Sequence, residues 1–144
     1  MSDDLPTIPL DRIRPCEGQL WWSSPDSSGR AAVSLKIPLE PFDSGLDYIP
    51  QPETPIIQLY DFSLDAPNPF AACGKTFDLG DTQQGGSVCI GHSHNPTDVL
   101  QLSLRHLSDA LFEVRLHLYL DFEFEGVGES ADLFLTATVR HVPE

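Results

Sequence analysis

The chain has 144 residues, with 22 acidic residues against 8 lysines and arginines and a formal net charge of −14. Its length and its 40% hydrophobic content predict one globular domain, residues 1–144, with enough chain to bury a core. The acidic balance argues against binding nucleic acid or an anionic membrane, because both select lysine and arginine.

The N-terminal residues predict neither export nor membrane insertion. They are acidic and lack the basic and apolar regions of a signal peptide. No run approaches the roughly 18 apolar residues of a membrane span, so we expect a cytoplasmic protein with reduced cysteines. A single helical turn is expected at most, at residues 10–14.

The N-terminal half predicts short strands separated by loops. Alternating apolar residues predict strands at 19–23 and 31–37, joined by a hairpin loop at 25–29, and a third strand at 56–64. Seven of the 13 prolines fall between Pro38 and Pro69, which excludes a long central helix.

Residues 65–95 are rich in glycine, proline, asparagine and aspartate. This composition predicts long loops around one weak strand at 87–90. Long loops on a small β scaffold are where binding residues concentrate.

The C-terminal half carries the clearest pattern, with strict alternation over 100–104, 114–124 and 133–139. The short turns between these runs predict a three-stranded antiparallel meander. In the long middle strand, Phe122 and Phe124 are expected to face the core. The predicted fold class is therefore all-β, an antiparallel β-sandwich or a curled sheet.

Two stretches of the chain, residues 37–74 and 116–139, contain several acidic residues but neither lysine nor arginine. On the predicted long strand, Asp121 and Glu123 share the outward face about 7 Å apart, and Glu125 continues the row. Such a row would complement a basic protein surface. The competing interpretation is a solvated face that only maintains solubility.

The aromatic residues add candidate anchors. Neighbouring strand residues point to opposite faces, so one of Trp21 and Trp22 should enter the core while the other faces outward. Phe134 is expected to be partly covered at a sandwich edge. The residues predicted to bind a partner are Asp121, Glu123, Glu125, Tyr119, Trp21, Trp22, Asp61 and Asp65.

Cysteines and histidines in the loop-rich region are ligand types for zinc, namely Cys73, Cys89, His92 and His94. Their spacing lacks a paired Cys-x-x-Cys, so no metal and no cofactor is predicted. The chain has no nucleophile elbow, phosphate loop or dinucleotide fingerprint, and we expect no enzyme.

In its size, acidity and lack of catalytic motifs, the chain resembles small acidic bacterial immunity proteins and antitoxins. The resemblance is one of type and assigns no residue roles. It implies an inhibitor that covers the basic cleft of a toxin acting on nucleic acid. The alternative is a non-catalytic β-sandwich module that binds carbohydrate or metal. The oligomeric state is left open.

Overall fold

A computed structural model describes residues 5–80 and 85–143. Within them the chain forms eight strands, a 3-10 turn at Leu10–Arg12 and one short helix, α1. The elements are β1 (Gly18–Trp22), β2 (Ala31–Pro38), β3 (Ile56–Leu64), α1 (Pro69–Ala72), β4 (Thr76–Asp78), β5 (Gly85–Ile90), β6 (Ser93–Ser108), β7 (Leu111–Leu120) and β8 (Ala131–Val142).

Seven of these strands close into a barrel. The ring runs β1-β2-β3-β5-β6-β7-β8 and returns to β1, while β4 pairs with β6 alone. Every pair is antiparallel except β1 and β8, which run parallel with Gly18 opposite Val139. The all-β class and the C-terminal meander are confirmed, but the predicted sandwich is wrong, because one sheet curls until its edges pair. Alternation along a strand shows which of its faces is buried, but it does not show which strands pair to close the sheet.

The barrel interior is filled with apolar side chains. The inward positions of β2 and β7 are at most 3% exposed, as the alternation predicts. Trp22 is also inside, and its Nε1 donates to the Ala66 carbonyl oxygen at 3.1 Å. The barrel interior is therefore a packed core, and most polar side chains of the described strands face outward.

The prediction of long loops over residues 65–95 is wrong for much of that region. It contains α1 and β4, and its last part forms a hairpin of β5 with β6. Gly91 and His92 both have positive φ, 71° and 58°, which fits the type I′ turn that joins tightly paired strands. The buried Asn95 amide donates to the carbonyl oxygens of Val88 and Ile90 and fixes the hairpin.

Strand β7 ends at Leu120, so the predicted strand over 114–124 is too long. The chain turns directly afterwards, because the Phe124 N–H donates to Asp121 Oδ1 at 3.2 Å and the Val127 N–H donates to the Phe122 carbonyl oxygen at 2.9 Å. The turn separates two residues that the alternation assigned to one face. Phe122 is fully buried, whereas Phe124 is 71% exposed.

Candidate functional site

The two base-free stretches meet at one end of the barrel. The β2–β3 connection, residues 39–55, and the β7–β8 connection, residues 121–130, both leave from this end. They converge on Gly91, where a side-chain carbon would lie 2.5 Å from Tyr48 Oη and 2.9 Å from Val127 Cγ1. The two connections hold eight carboxylates and neither lysine nor arginine. We call residues 39–55, 91–92 and 121–130 the acidic end.

Several carboxylates of the acidic end hold its connections in place. Glu53 accepts hydrogen bonds from the Gly91 N–H at 2.9 Å and from Ser44 Oγ. Asp121 accepts from Ser130 Oγ at 3.1 Å, and Glu123 accepts from the Ser130 N–H at 3.1 Å. Asp121 and Glu123, which the sequence predicts as partner contacts in a strand row, therefore lie in a turn and also stabilise it.

Tyr48 is tied into the same network. Its hydroxyl donates to the Gly91 carbonyl oxygen at 3.0 Å, while 59% of the residue remains exposed. Burial of the hydroxyl raises the pKa of Tyr48, and the nearby Glu53 charge raises it further. The phenol thus stays protonated, with its ring held at the surface.

The most exposed apolar group of the acidic end is Phe124, which lies between Glu123 and Glu125 on the hydrogen-bonded turn. Among the described residues, Asp47, Glu125 and Glu40 make no side-chain hydrogen bond or ion pair. Sequence reasoning missed Phe124 because it matched the core parity of β7. The only signal against that assignment was the glycine pair that follows it, Gly126 and Gly128.

The remaining predicted contacts lie elsewhere on the barrel. Tyr119 is opposite Asp132 on β8, whereas Trp21 is opposite Val142 on the same strand. Ten residues of strand separate the two positions, or roughly 33 Å at about 3.3 Å per residue. Tyr119 and Trp21 cannot belong to one small interface.

The predicted aspartates Asp61 and Asp65 lie away from the acidic end. The Asp61 N–H donates to Ser34 Oγ at 3.0 Å, and Ser34 is the cross-strand neighbour of the half-buried Trp21. Asp65 follows the last residue of β3, at the opposite end of the barrel. The predicted partner contacts therefore do not form one surface, and Trp22 is buried in the core.

A second surface feature is a groove across the outer face of β4, β6, β7 and β8. Its floor is one cross-strand row in which Thr76, Ser103 and Thr136 carry short hydroxyl side chains beside Arg115. The next row on one side holds Gln101, His117 and Phe134, and the next row on the other holds Arg105 and Glu113. Two adjoining depressions of about 310 and 270 Å³ share Thr76, Ser103 and Arg115, and we call them together the outer groove.

One wall of the outer groove is ionic. Glu113 binds Arg105 at 3.0 Å and lies 3.5 Å from Arg115. The hydrogen bond from Arg105 holds the pKa of Glu113 below its usual range, so this carboxylate stays charged near neutral pH. Lys75 lines the same part of the groove and has no ion-pair partner among the described residues.

The opposite wall is aromatic. Phe134 is 73% exposed and stacks on His117 with ring centroids 4.2 Å apart. His117 Nε2 lies 2.9 Å from Asp132 Oδ1, which fixes the imidazole under the Phe134 ring. The expectation that Phe134 is partly covered is wrong, because the barrel has no second sheet over this face.

The candidate zinc ligands do not form a site. Cys73 follows α1 beside the Leu104 end of β6, whereas Cys89 lies opposite His94 near the other end of that strand, and His92 is in the turn. Residues 5–80 and 85–143 contain no group of three or more histidine, cysteine or acidic side chains placed to hold a metal ion.

We expect Cys89 to react more slowly with iodoacetamide at pH 8 than the exposed Cys16. Burial raises the pKa of the Cys89 thiol, and the Glu53 charge raises it further, so less of it is the reactive thiolate. Peptide mass spectrometry after timed alkylation measures both rates. In urea the two rates should converge, and equal rates in the folded protein would contradict the burial of Cys89.

Comparison with protein-family models, with curated proteins and with solved structures gave no match. Within the described residues, none of the helices has the length and apolar character needed to cross a bilayer. The function is therefore inferred from the surfaces of the barrel.

Proposed function

We propose that the protein is a binding protein that neutralises a basic protein partner, and that it docks this partner on the acidic end of the barrel. The observation that carries the proposal is Phe124, a 71% exposed aromatic side chain between two glutamates. A large apolar anchor surrounded by charged groups is the arrangement from which protein interfaces draw most of their binding energy.

The turn that carries Phe124 is held by its own hydrogen bonds, without a partner. Asp121, Glu123 and Ser130 hold it through four hydrogen bonds to one another and to the Phe124 backbone. A preorganised loop loses little conformational entropy on binding, so more of the contact energy appears as affinity. Tyr48, held by its bond to Gly91, supplies a second aromatic surface on the same end.

The carboxylates without hydrogen-bond partners among the described residues make the proposed interface negatively charged. Asp47 and Glu125 add charge that attracts arginine and lysine over a distance comparable with the Debye length, about 8 Å at physiological salt. Attraction of this kind accelerates association and excludes acidic competitors more than it raises final affinity. The association rate is therefore expected to fall as salt rises, while the contact through Phe124 persists.

Among basic partners, a toxin that acts on nucleic acid fits best, because its substrate cleft must itself be basic to hold phosphates. Covering that cleft inhibits the toxin without any chemistry by the inhibitor. This is the role of the small acidic immunity proteins that the chain resembles in type. Such an inhibitor acts in the cytoplasm, where the toxin meets its substrate.

The test begins with affinity capture from a lysate of the native host in 150 mM NaCl, followed by identification and purification of the captured protein. The dissociation constant of the purified complex is then measured for Phe124→Ala and Glu125→Lys. Loss of a central aromatic anchor is expected to weaken binding by about 2 kcal/mol or more, roughly thirtyfold. Glu125→Lys should reduce mainly the association rate.

Asp65→Lys is the matched control, because it makes the same change of charge on an exposed aspartate at the opposite end of the barrel. It should leave the complex close to wild type. Equal weakening by Asp65→Lys and Glu125→Lys would show a response to net charge alone. An unchanged constant for Phe124→Ala, or an acidic partner, would also overturn the proposal.

A further inference from the structure

The outer groove has a charge opposite to that of the chain. Lys75, Arg105 and Arg115 line one depression, and these are three of the eight lysines and arginines of the protein. Among residues 5–80 and 85–143, the only acid lining it is Glu113. The described lining of this depression therefore carries two positive charges more than negative ones, on a chain with a net charge of −14.

The ion pairs of the groove leave donors unused. Glu113 is shared by two guanidinium groups and contacts Arg115 through Nε, and within the described part of the chain the two terminal nitrogens of Arg115 have no hydrogen-bond partner. Planar guanidinium nitrogens and an ammonium are the groups that proteins use for phosphate, sulfate and carboxylate. Lys75 supplies that ammonium at the edge of the same depression.

The floor adds neutral donors at the same place. Thr76, Ser103 and Thr136 are neighbours of Arg115 in the cross-strand row, and their hydroxyls make no hydrogen bond within residues 5–80 and 85–143. Ser103 and Thr136 flank Arg115 at the usual strand spacing of about 4.8 Å, so their hydroxyls and the guanidinium can donate to oxygens of a single ligand, while Thr76 lies one strand farther, next to Lys75. A hydrophobic ligand alone would leave these donors unsatisfied.

The exposed ring of Phe134 lies two residues along β8 from Thr136, diagonal to Arg115, and is backed by His117. A diagonal neighbour on a sheet lies about 7–8 Å away, within the span of a small molecule that joins an oxyanion to a ring. Stacking on Phe134 would cover its apolar face, which is otherwise in water.

We propose that the outer groove binds a small aromatic oxyanion, with its phosphate, sulfate or carboxylate between Lys75 and Arg115 and its ring on Phe134. The site is separate from the acidic end and does not depend on the docking of a basic partner. The overall negative charge does not prevent binding at physiological salt, because carboxylates farther than about 8 Å are largely screened whereas the direct contacts are not.

The test is a titration of the full chain with phenyl phosphate in 150 mM NaCl, followed by two-dimensional amide NMR. Inorganic phosphate and phenol are titrated separately to resolve the oxyanion and ring contributions. Phenyl phosphate is expected to bind most tightly and to shift the amide signals of Thr76, Ser103 and Thr136. No saturable shift with phenyl phosphate, or shifts spread over the whole barrel, would overturn the proposal.

Variants test the oxyanion contacts and the ring contact of the site separately. Lys75→Gln and Arg115→Gln should each weaken phenyl phosphate binding about tenfold, the value of one charge-assisted contact of about 1.4 kcal/mol. Lys36→Gln on β2 removes the same charge on a distant strand and should have no effect. Phe134→Ala should reduce the affinity for phenyl phosphate to that for inorganic phosphate.

Two results would contradict this assignment. Equal weakening by Lys36→Gln and Lys75→Gln would mean that the ligand responds only to net charge. Equal affinity of the wild type for inorganic phosphate and phenyl phosphate would remove the role of Phe134. The proposal stands apart from the docking interface, since Phe124→Ala and Glu125→Lys should leave phenyl phosphate affinity unchanged.

Discussion

Replacing Phe122 by alanine is expected to lower the free energy of unfolding by about 3–5 kcal/mol, the usual cost of removing a fully buried phenyl ring. Replacing Phe124, two residues later, should change it by no more than about 0.5 kcal/mol, because 71% of that residue is already in water. Urea unfolding of both variants measures the difference, and the slope of each transition checks that the native state is intact.

Together, the Phe122→Ala and Phe124→Ala variants distinguish a strand that continues to Phe124 from a turn that begins after Leu120. If β7 continued to Phe124 as the alternation predicts, both rings would face the core and both variants would lose several kcal/mol. A large loss for Phe124→Ala would therefore contradict the turn after Leu120 and the docking surface built on it. A small loss would also qualify Phe124→Ala for binding measurements, since reduced binding could then be assigned to the lost contact.

The Gly86→Ala substitution should destabilise the barrel by about 3 kcal/mol or more, or prevent folding. A side-chain carbon at Gly86 would lie 2.1 Å from the Gln58 carbonyl oxygen and 2.7 Å from Leu59 Cα. Both are backbone atoms of β3, so the clash cannot be relieved by moving a flexible side chain. The β3–β5 pair would have to separate, and with it the closure of the ring.

Gly80→Ala is the control, because the nearest atom to its new carbon would be Asp78 Oδ1 at 3.8 Å, an ordinary contact. It should stay within about 0.5 kcal/mol of wild type. Thermal unfolding followed by circular dichroism measures both variants. Equal melting temperatures for Gly86→Ala and wild type would contradict the close approach of β3 and β5.

Much of the fold could be predicted from local pattern. The strand over residues 56–64 coincides with β3, and the predicted strands at 19–23 and 31–37 agree with β1 and β2 to within one residue at each end. The burial of one tryptophan of the pair at 21–22 also followed from parity. These features are local, since side-chain alternation and turn residues are properties of a few consecutive positions.

The candidate site could be predicted only in part. The two acidic stretches that lack lysine and arginine can be recognised in the sequence, and each contributes one of the two connections that form the acidic end. The individual contacts were not, since Asp121 and Glu123 hold a turn, Phe124 was assigned to the core, and Tyr48 was not considered. The first two assignments depend on where β7 ends, and the hydrogen bonds that end it involve Ser130, nine residues beyond Asp121. The position of Tyr48 depends on its hydrogen bond to Gly91, which is far from it in the sequence.

The sequence by itself determined the β class, the inward face of most strands and the excess of negative charge. Charge follows from composition, and period-two alternation can be recognised from a few neighbouring residues. Only the tertiary structure decided that the sheet closes, through a parallel pair between the first and last strands. It also brought two distant acidic connections together around Gly91, and it gathered three of the few bases in the outer groove. Those arrangements depend on strand pairings between residues far apart in the chain, which no local pattern specifies.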